Sequence, residues 1–189
     1  FSLEASELVE KSGRVYAFEP ETDNYKLLCK NVAVNVYSNV TPVNLAVSNK
    51  AGTSRIFLSQ DSGRHTLQKS LRFAHRGHAI VRTIRLDDFC RKNGVKKIDV
   101  IKVDVEGGEL DALDGMRNSI KGNNNIKLII EYVPGNFLST GKSQSEFFDK
   151  LTSLGFRKFY VLGKYKIESA ERSDILNLEK GTYNLLAEK

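Results

Sequence analysis

The chain has 189 residues, 40% of them apolar and 28% charged, with a formal net charge of +6, three histidines and two cysteines. That length suits one domain with a substantial core, and the ordinary globular composition suggests neither disorder nor a coiled coil. No apolar run approaches the ~20 residues of a bilayer span and the amino terminus lacks a secretory pattern, so a cytoplasmic protein with no membrane partner is expected.

In chain order, residues 2–11 read as a helix and residues 14–19 as a short apolar strand that Pro20 ends. Glu19 thereby stands at a strand's carboxyl end. Residues 22–35 carry Tyr25, Leu28, Cys29 and Val32 at helical spacing. Residues 40–48 read as a strand interrupted by Pro42, and residues 53–58 as an alternating one. The polar, basic segment 60–77 reads as a surface loop with one helical turn over 67–73, and it contains His65. Residues 80–86 form a further predicted strand, with Asp87 capping a short helix that Gly94 ends.

The segment from Ile98 to Leu110 is the most informative. It reads as a strand over 98–105 in which Lys102, Asp104 and Glu106 share one face, followed by a Gly107-Gly108 turn and a helix over 109–121. Charges on a buried strand cost several kcal/mol unless paired, liganded or placed at the strand's open end. Residues 126–133 read as a buried strand that ends around Glu131 and that Pro134 breaks. A helix over 145–154 and strands over 156–162 and 182–187 complete the chain. Strands alternating with helices, closed by a strand pair, predict an α/β doubly wound sheet.

In such a sheet ligands sit outside the carboxyl ends of the strands. Glu19 suits ribose hydroxyls, since a carboxylate accepts from two at once. Asp104 and Glu106 suit proton transfer, Lys102 an ion pair with them, and Glu131 either substrate orientation or pairing with Lys102. Asp104, Glu106 and Glu131 would also suit magnesium, although no metal is assigned on sequence grounds. His65 is a candidate general base, while His75 and His78 read as surface residues. Cys29 and Cys90, on predicted helices and without metal-ligand spacing, read as reduced, half-buried thiols. The positive charges are spread along the chain, concentrated only around 69–85 and 157–166, without an ordered run of basic and aromatic residues; nucleic acid is not the expected partner.

The order Val15-Tyr-Ala-Phe-Glu-Pro20, Asn44-Leu-Ala-Val-Ser48 with Gly52 following, Thr83-Ile-Arg-Leu-Asp-Asp-Phe89, Ile101-Lys-Val-Asp-Val-Glu-Gly-Gly-Glu109 and Leu128-Ile-Ile-Glu131 resembles the FkbM family of S-adenosylmethionine-dependent methyltransferases across nearly the whole chain. The resemblance implies a Rossmann-like class I methyltransferase sheet, mostly parallel with a reversed strand near the carboxyl end. It implies S-adenosylmethionine as cofactor and O-methylation of a hydroxyl on a small-molecule or glycan acceptor. Glu19 would hold the ribose, and Asn44 and Ala46 would pass the adenine. Asp104 and Glu106 would face the sulfonium methyl, with Asp104 touching the cofactor and with Asp104, Glu106 and His65 as candidate catalytic groups. The family's first strand and glycine-rich loop have no counterpart here, so a single domain over 1–189 lacking both is expected, and with it weak cofactor binding. Two rival readings are a nucleic-acid methyltransferase and a non-catalytic nucleotide-binding or interaction domain. The Asp/Asn-Pro-Pro-aromatic motif of amino-methylating enzymes is absent, because Val105 follows Asp104.

Overall fold

A computed structural model describes residues 1–10, 12–59, 65–67, 75–179 and 181–189. Helix α1 (Ser2–Leu8) is shorter than predicted, because Glu10 turns the backbone to a φ of 55°. Strand β1 (Val15–Phe18) and strand β2 (Val40–Val43) pair in parallel on either side of helix α2 (Thr22–Val34), whose N-terminal amides at Asp23 and Asn24 donate to the Glu21 carboxylate. Pro42 does not interrupt β2. The Asn39 and Val43 carbonyls accept from Val15 and Glu19, so the N–H that proline lacks falls on the outer edge. The predicted strand over 40–48 breaks instead at Asn44-Leu45, and β3 (Ala46–Val47) joins a different sheet.

That second sheet has the order β3-β5-β4, where β4 (Gly52–Ser59) and β5 (His75–Ile84) form an antiparallel pair and β3 runs parallel to β5. Strand β5 starts at His75 rather than at 80, since it pairs with β4 from Ser59 onward. The predicted turn over 67–73 lies outside the described residues apart from Leu67. Helix α3 (Leu86–Asn93) starts after Arg85, whose side chain makes no capping bond, and ends on Gly94 in a left-handed conformation. Asp87 is not its cap. Its carboxylate accepts from the Asn118 and Ser119 amides at 3.1 and 2.8 Å and from the Ser119 hydroxyl at 2.8 Å, capping the start of a later helix.

The third sheet has the order β6-β7-β10-β8-β9, built from β6 (Val100–Val103), β7 (Lys127–Tyr132), β8 (Lys158–Leu162), β9 (Ile167–Ser169) and β10 (Tyr183–Glu188). Strands β6 and β7 are parallel, and β10 runs antiparallel to both β7 and β8. The reversed strand near the carboxyl end is therefore present, but among the described residues a single mostly parallel sheet is not: one parallel pair and two mixed sheets stand in its place. Hairpin pairing at β4–β5 and β8–β9, and the lack of a ladder from β1 to β6 among the described residues, account for the difference.

Helix α4 (Glu109–Gly115) and helix α5 (Arg117–Lys121) replace the one helix predicted over 109–121. Pro134 opens helix α6 (Pro134–Thr140) as well as ending β7, which suits a residue with preset φ and no N–H to satisfy. Helix α7 (Gln144–Ser153) carries a capping box between Ser143 and Glu146, and a short helix α8 (Arg172–Leu176) precedes β10. The main core gathers Leu113, Ile120, Leu128, Ile130, Phe147, Phe156 and Leu185 between these helices and the third sheet. Each such side chain contributes about 1.5–3 kcal/mol by burial. Tyr16 and Phe18 of β1 reach the same core, packing edge-on against Phe89 at 5.2 and 4.9 Å between ring centroids. Cys29 and Cys90 are separate free thiols, Cys29 half-buried as expected and Cys90 buried more deeply, within the main core. No helix among the described residues is long and apolar enough to cross a membrane.

Candidate functional site

Strand β6 ends at Val103, so Asp104 and Glu106 lie beyond its carboxyl end and not on its face, and the predicted alternation stops there. Glu106 takes a φ of 49° and Gly107 a φ of 101°, which turn the chain sharply into α4. Two contacts fix this turn. Buried Thr66 donates its hydroxyl to the Glu106 carbonyl at 2.5 Å, and the carboxylate of Glu109, 6% exposed, accepts from the Gly107 amide at 3.0 Å. Burial raises the Glu109 carboxyl above its ordinary range while the surrounding backbone amides pull it down.

Glu131, on the neighbouring β7, brings its carboxylate to this turn. One oxygen each from Asp104, Glu106 and Glu131 lies within 4.8 Å of the others. Glu131 is half-buried as a residue, but its Oε2 is shut off from solvent and has no hydrogen-bond partner among the described residues. Desolvation, then the negative charges of Asp104, Glu106 and Glu109, push its carboxyl up to about 8, with Lys102 opposing. Lys102 pairs with Asp104, Nζ to Oδ2 at 2.7 Å, and not with Glu131. The same ammonium lies 4.3 Å from the centroid of the Phe1 ring, a cation–π contact that places α1's start beside β6's end.

At the end of β1, half-buried Glu19 accepts from the Glu21 amide at 2.9 Å, and burial raises its carboxyl. Asn44 donates to the Glu19 and Pro20 carbonyls at 3.0 and 3.1 Å, locking the ends of β1 and β2 together. Ala46 is elsewhere: its side chain is buried with Ile56 and Val81 in the sheet of β3, β4 and β5. His65 accepts the Ser59 amide on Nδ1 at 3.1 Å, so its neutral ring carries the proton on Nε2. His78 is exposed on β5. The geometry thus groups Asp104, Glu106 and Glu131, joins Glu19 to Asn44, and buries the Ala46 side chain in a separate cluster. Thr66 and Glu109 were missed by sequence reasoning. Glu109 carried a signal, as an acid at the first position of a helix after two glycines; Thr66 carried none.

A family model described as the methyltransferase FkbM domain matches residues 1–158. The chain is 29% identical over 157 residues to the hexuronic acid methyltransferase AglP of Haloferax volcanii, a match covering 79% of this chain and 61% of that protein. It therefore spans less than two thirds of that relative's length. The precorrin-6y C5,15-methyltransferase of Geobacter metallireducens shares the fold, with a TM-score of 0.51 at 16% identity over 100% of this chain and 73% of that one. The FkbM methyltransferase of Methylobacillus flagellatus aligns over 92% of this chain and 36% of its own, with a TM-score of 0.49 at 17% identity. With residues 1–158 of 189 matched by its model, the chain belongs to the FkbM methyltransferase family.

Proposed function

We propose that this chain carries the adenosine-binding and acceptor-facing parts of an S-adenosylmethionine-dependent O-methyltransferase with a Rossmann-like fold, acting on a hydroxyl of a sugar or other small molecule. The observation that carries the reading is the placement of Glu19 past the end of β1 and of Asp104 and Glu106 past the end of β6, in a chain of this family.

The residues fit the adenosine end of the cofactor. Glu19 uses Oε1 on the Glu21 amide and keeps Oε2 for a ribose hydroxyl, and Asn44, its amide protons engaged on backbone, keeps Oδ1 as an acceptor. When bound, the cofactor supplies a methyl group on a positively charged sulfur. The chain's acids balance that charge, hold the acceptor oxygen near it and take the hydroxyl proton. Glu106 and Asp104 are better bases for that proton than His65, whose Nδ1 lone pair is already engaged. Alignment and exclusion of water supply several kcal/mol of the barrier reduction.

An acidic sugar is the favoured acceptor class, since AglP is a hexuronic acid methyltransferase and the formal charge of +6 suits an anion. The test uses the complete protein with methyl-labelled cofactor and either a hexuronate or a neutral hexose glycoside. Label is expected on the hexuronate, in an alkali-stable ether if a hydroxyl is the acceptor and an alkali-labile ester if the carboxylate is. Asp104→Asn and Glu106→Gln should lower turnover roughly 10²-fold or more, the scale of general base catalysis, with little change in melting temperature. Absence of label on any glycoside, or variants that merely unfold, would reject the reading.

A further inference from the structure

We propose that Asp104, Glu106 and Glu131 form a binding site for one hard divalent cation. The proposal goes beyond methyl transfer and does not depend on it. Each residue offers one carboxylate oxygen, and these atoms lie within 4.8 Å of one another. Opposite ligands on a calcium ion stand roughly 4.6–5.2 Å apart and on a magnesium ion roughly 4.0–4.2 Å, so a single ion can bridge all three.

The second observation is the state of Glu131. Its carboxylate is buried in the group, and its Oε2 reaches neither solvent nor any hydrogen-bond donor among the described residues. A sealed oxygen without a donor costs free energy unless a proton or an ion satisfies it. Lys102, a neighbouring cation among the described residues, does not serve Glu131, since its Nζ sits on Asp104 Oδ2. Glu109 is not a further ligand, because its carboxylate is turned onto the Gly107 amide. The donor set is entirely carboxylate oxygen, which selects calcium, magnesium or manganese over zinc or copper. Asp104, whose side chain is 43% exposed, opens the group to solvent as an entry path. Three protein oxygens leave about half of a six-coordinate shell for water or for oxygens of an acceptor.

The test titrates the complete chain, stripped with a chelator and then freed of it, with calcium chloride by calorimetry and with manganese(II) by electron paramagnetic resonance, without cofactor or acceptor. One ion per chain should bind, and calcium should raise the melting temperature. Glu131→Gln should weaken both ions at least tenfold, and Asp104→Asn serves as the second variant if the first fails to fold. No binding of either ion at millimolar concentration, or equal affinity in the wild type and a folded variant, would overturn the site. A wild type indifferent to calcium beside a more stable Glu131→Gln would likewise overturn it, identifying Glu131 as a plain protonated acid. Since no methyl transfer is read, a failure here leaves the proposed activity standing, and the reverse also holds.

Discussion

Glu106 holds a backbone conformation that residues with a side chain rarely adopt, φ 49°, and a buried threonine 40 residues away supplies the hydroxyl that clamps its carbonyl. The acid turn is thus anchored from the β4–β5 hairpin, where Phe57 and Thr66 exchange backbone hydrogen bonds. Such a clamp depends on two segments docking, so it leaves no local mark on the sequence, whereas acids after an apolar strand do. For the same reason Glu19, Asp104, Glu106 and Glu131 were legible from residue type and position while the pairing of Lys102 with Asp104 alone was not. In the complete protein, Glu19→Ala should weaken S-adenosylmethionine binding by about 1–3 kcal/mol, the range for losing a charged hydrogen-bond partner, and Glu19→Gln should retain part of it. Isothermal titration checks this, and unchanged affinity in Glu19→Ala removes the residue from the site. Glu131 gives a pH signature in the presence of a chelator. Its folded carboxyl is raised from 4.5 to about 8, so between those values the folded state binds more protons than the unfolded one, and stability falls as pH rises. Melting temperature should therefore decline through that window and level off above it. Glu131→Gln should flatten this part of the profile.

At the scale of elements, strands and helices with clear periodicity were legible: β1, α2, β7, α7 and β10 lie where hydrophobic spacing puts them. Two of the misplaced readings share a cause, which is contact with a distant segment. The helix predicted over 109–121 splits after Gly115, where a Cβ would stand 2.0 Å from the carbonyl oxygen of Ser48. Helical periodicity cannot reveal that approach. It makes a sharp prediction, because alanine normally stabilises a helix relative to glycine by roughly 0.5–1 kcal/mol. Here the clash is with backbone that has no rotamer to swing away, and overpacking costs about 1–3 kcal/mol. Gly115→Ala should therefore lower the denaturant midpoint, and a rise would show that Ser48 and its neighbours yield freely. Asp87 teaches the same lesson from the polar side. Its position directly after the strand predicted over 80–86 suggests a cap for α3, but its carboxylate reaches amides in the first turn of α5.

Across the whole molecule, the strand directions of an α/β methyltransferase were legible while the continuity of the sheet was not. Strand β10 is antiparallel to both neighbours, as the family resemblance implies, yet β1–β2 and β6–β7 form separate parallel pairs among the described residues. One edge of β1 and one edge of β6 make no ladder there, although Tyr16 and Phe18 of β1 share a core with Val103 of β6. Unpaired backbone groups within an otherwise packed layer are costly, and Val100 on β6 is left 54% exposed. We propose that a parallel strand between β1 and β6, followed by a glycine turn, completes both the sheet and the cofactor site, whose methionine end has no assigned contact in this chain. A form carrying about thirty residues ahead of Phe1, enough for a strand, a turn and a short leader, should melt higher than residues 1–189 alone. It should also show a larger thermal shift with S-adenosylmethionine, because the turn adds backbone donors that Glu19 and Asn44 cannot replace. Differential scanning fluorimetry on both forms, with and without cofactor, decides between these expectations. Equal melting and equally tight binding would mean that the two edges are satisfied as they stand and that the adenosine contacts alone hold the cofactor.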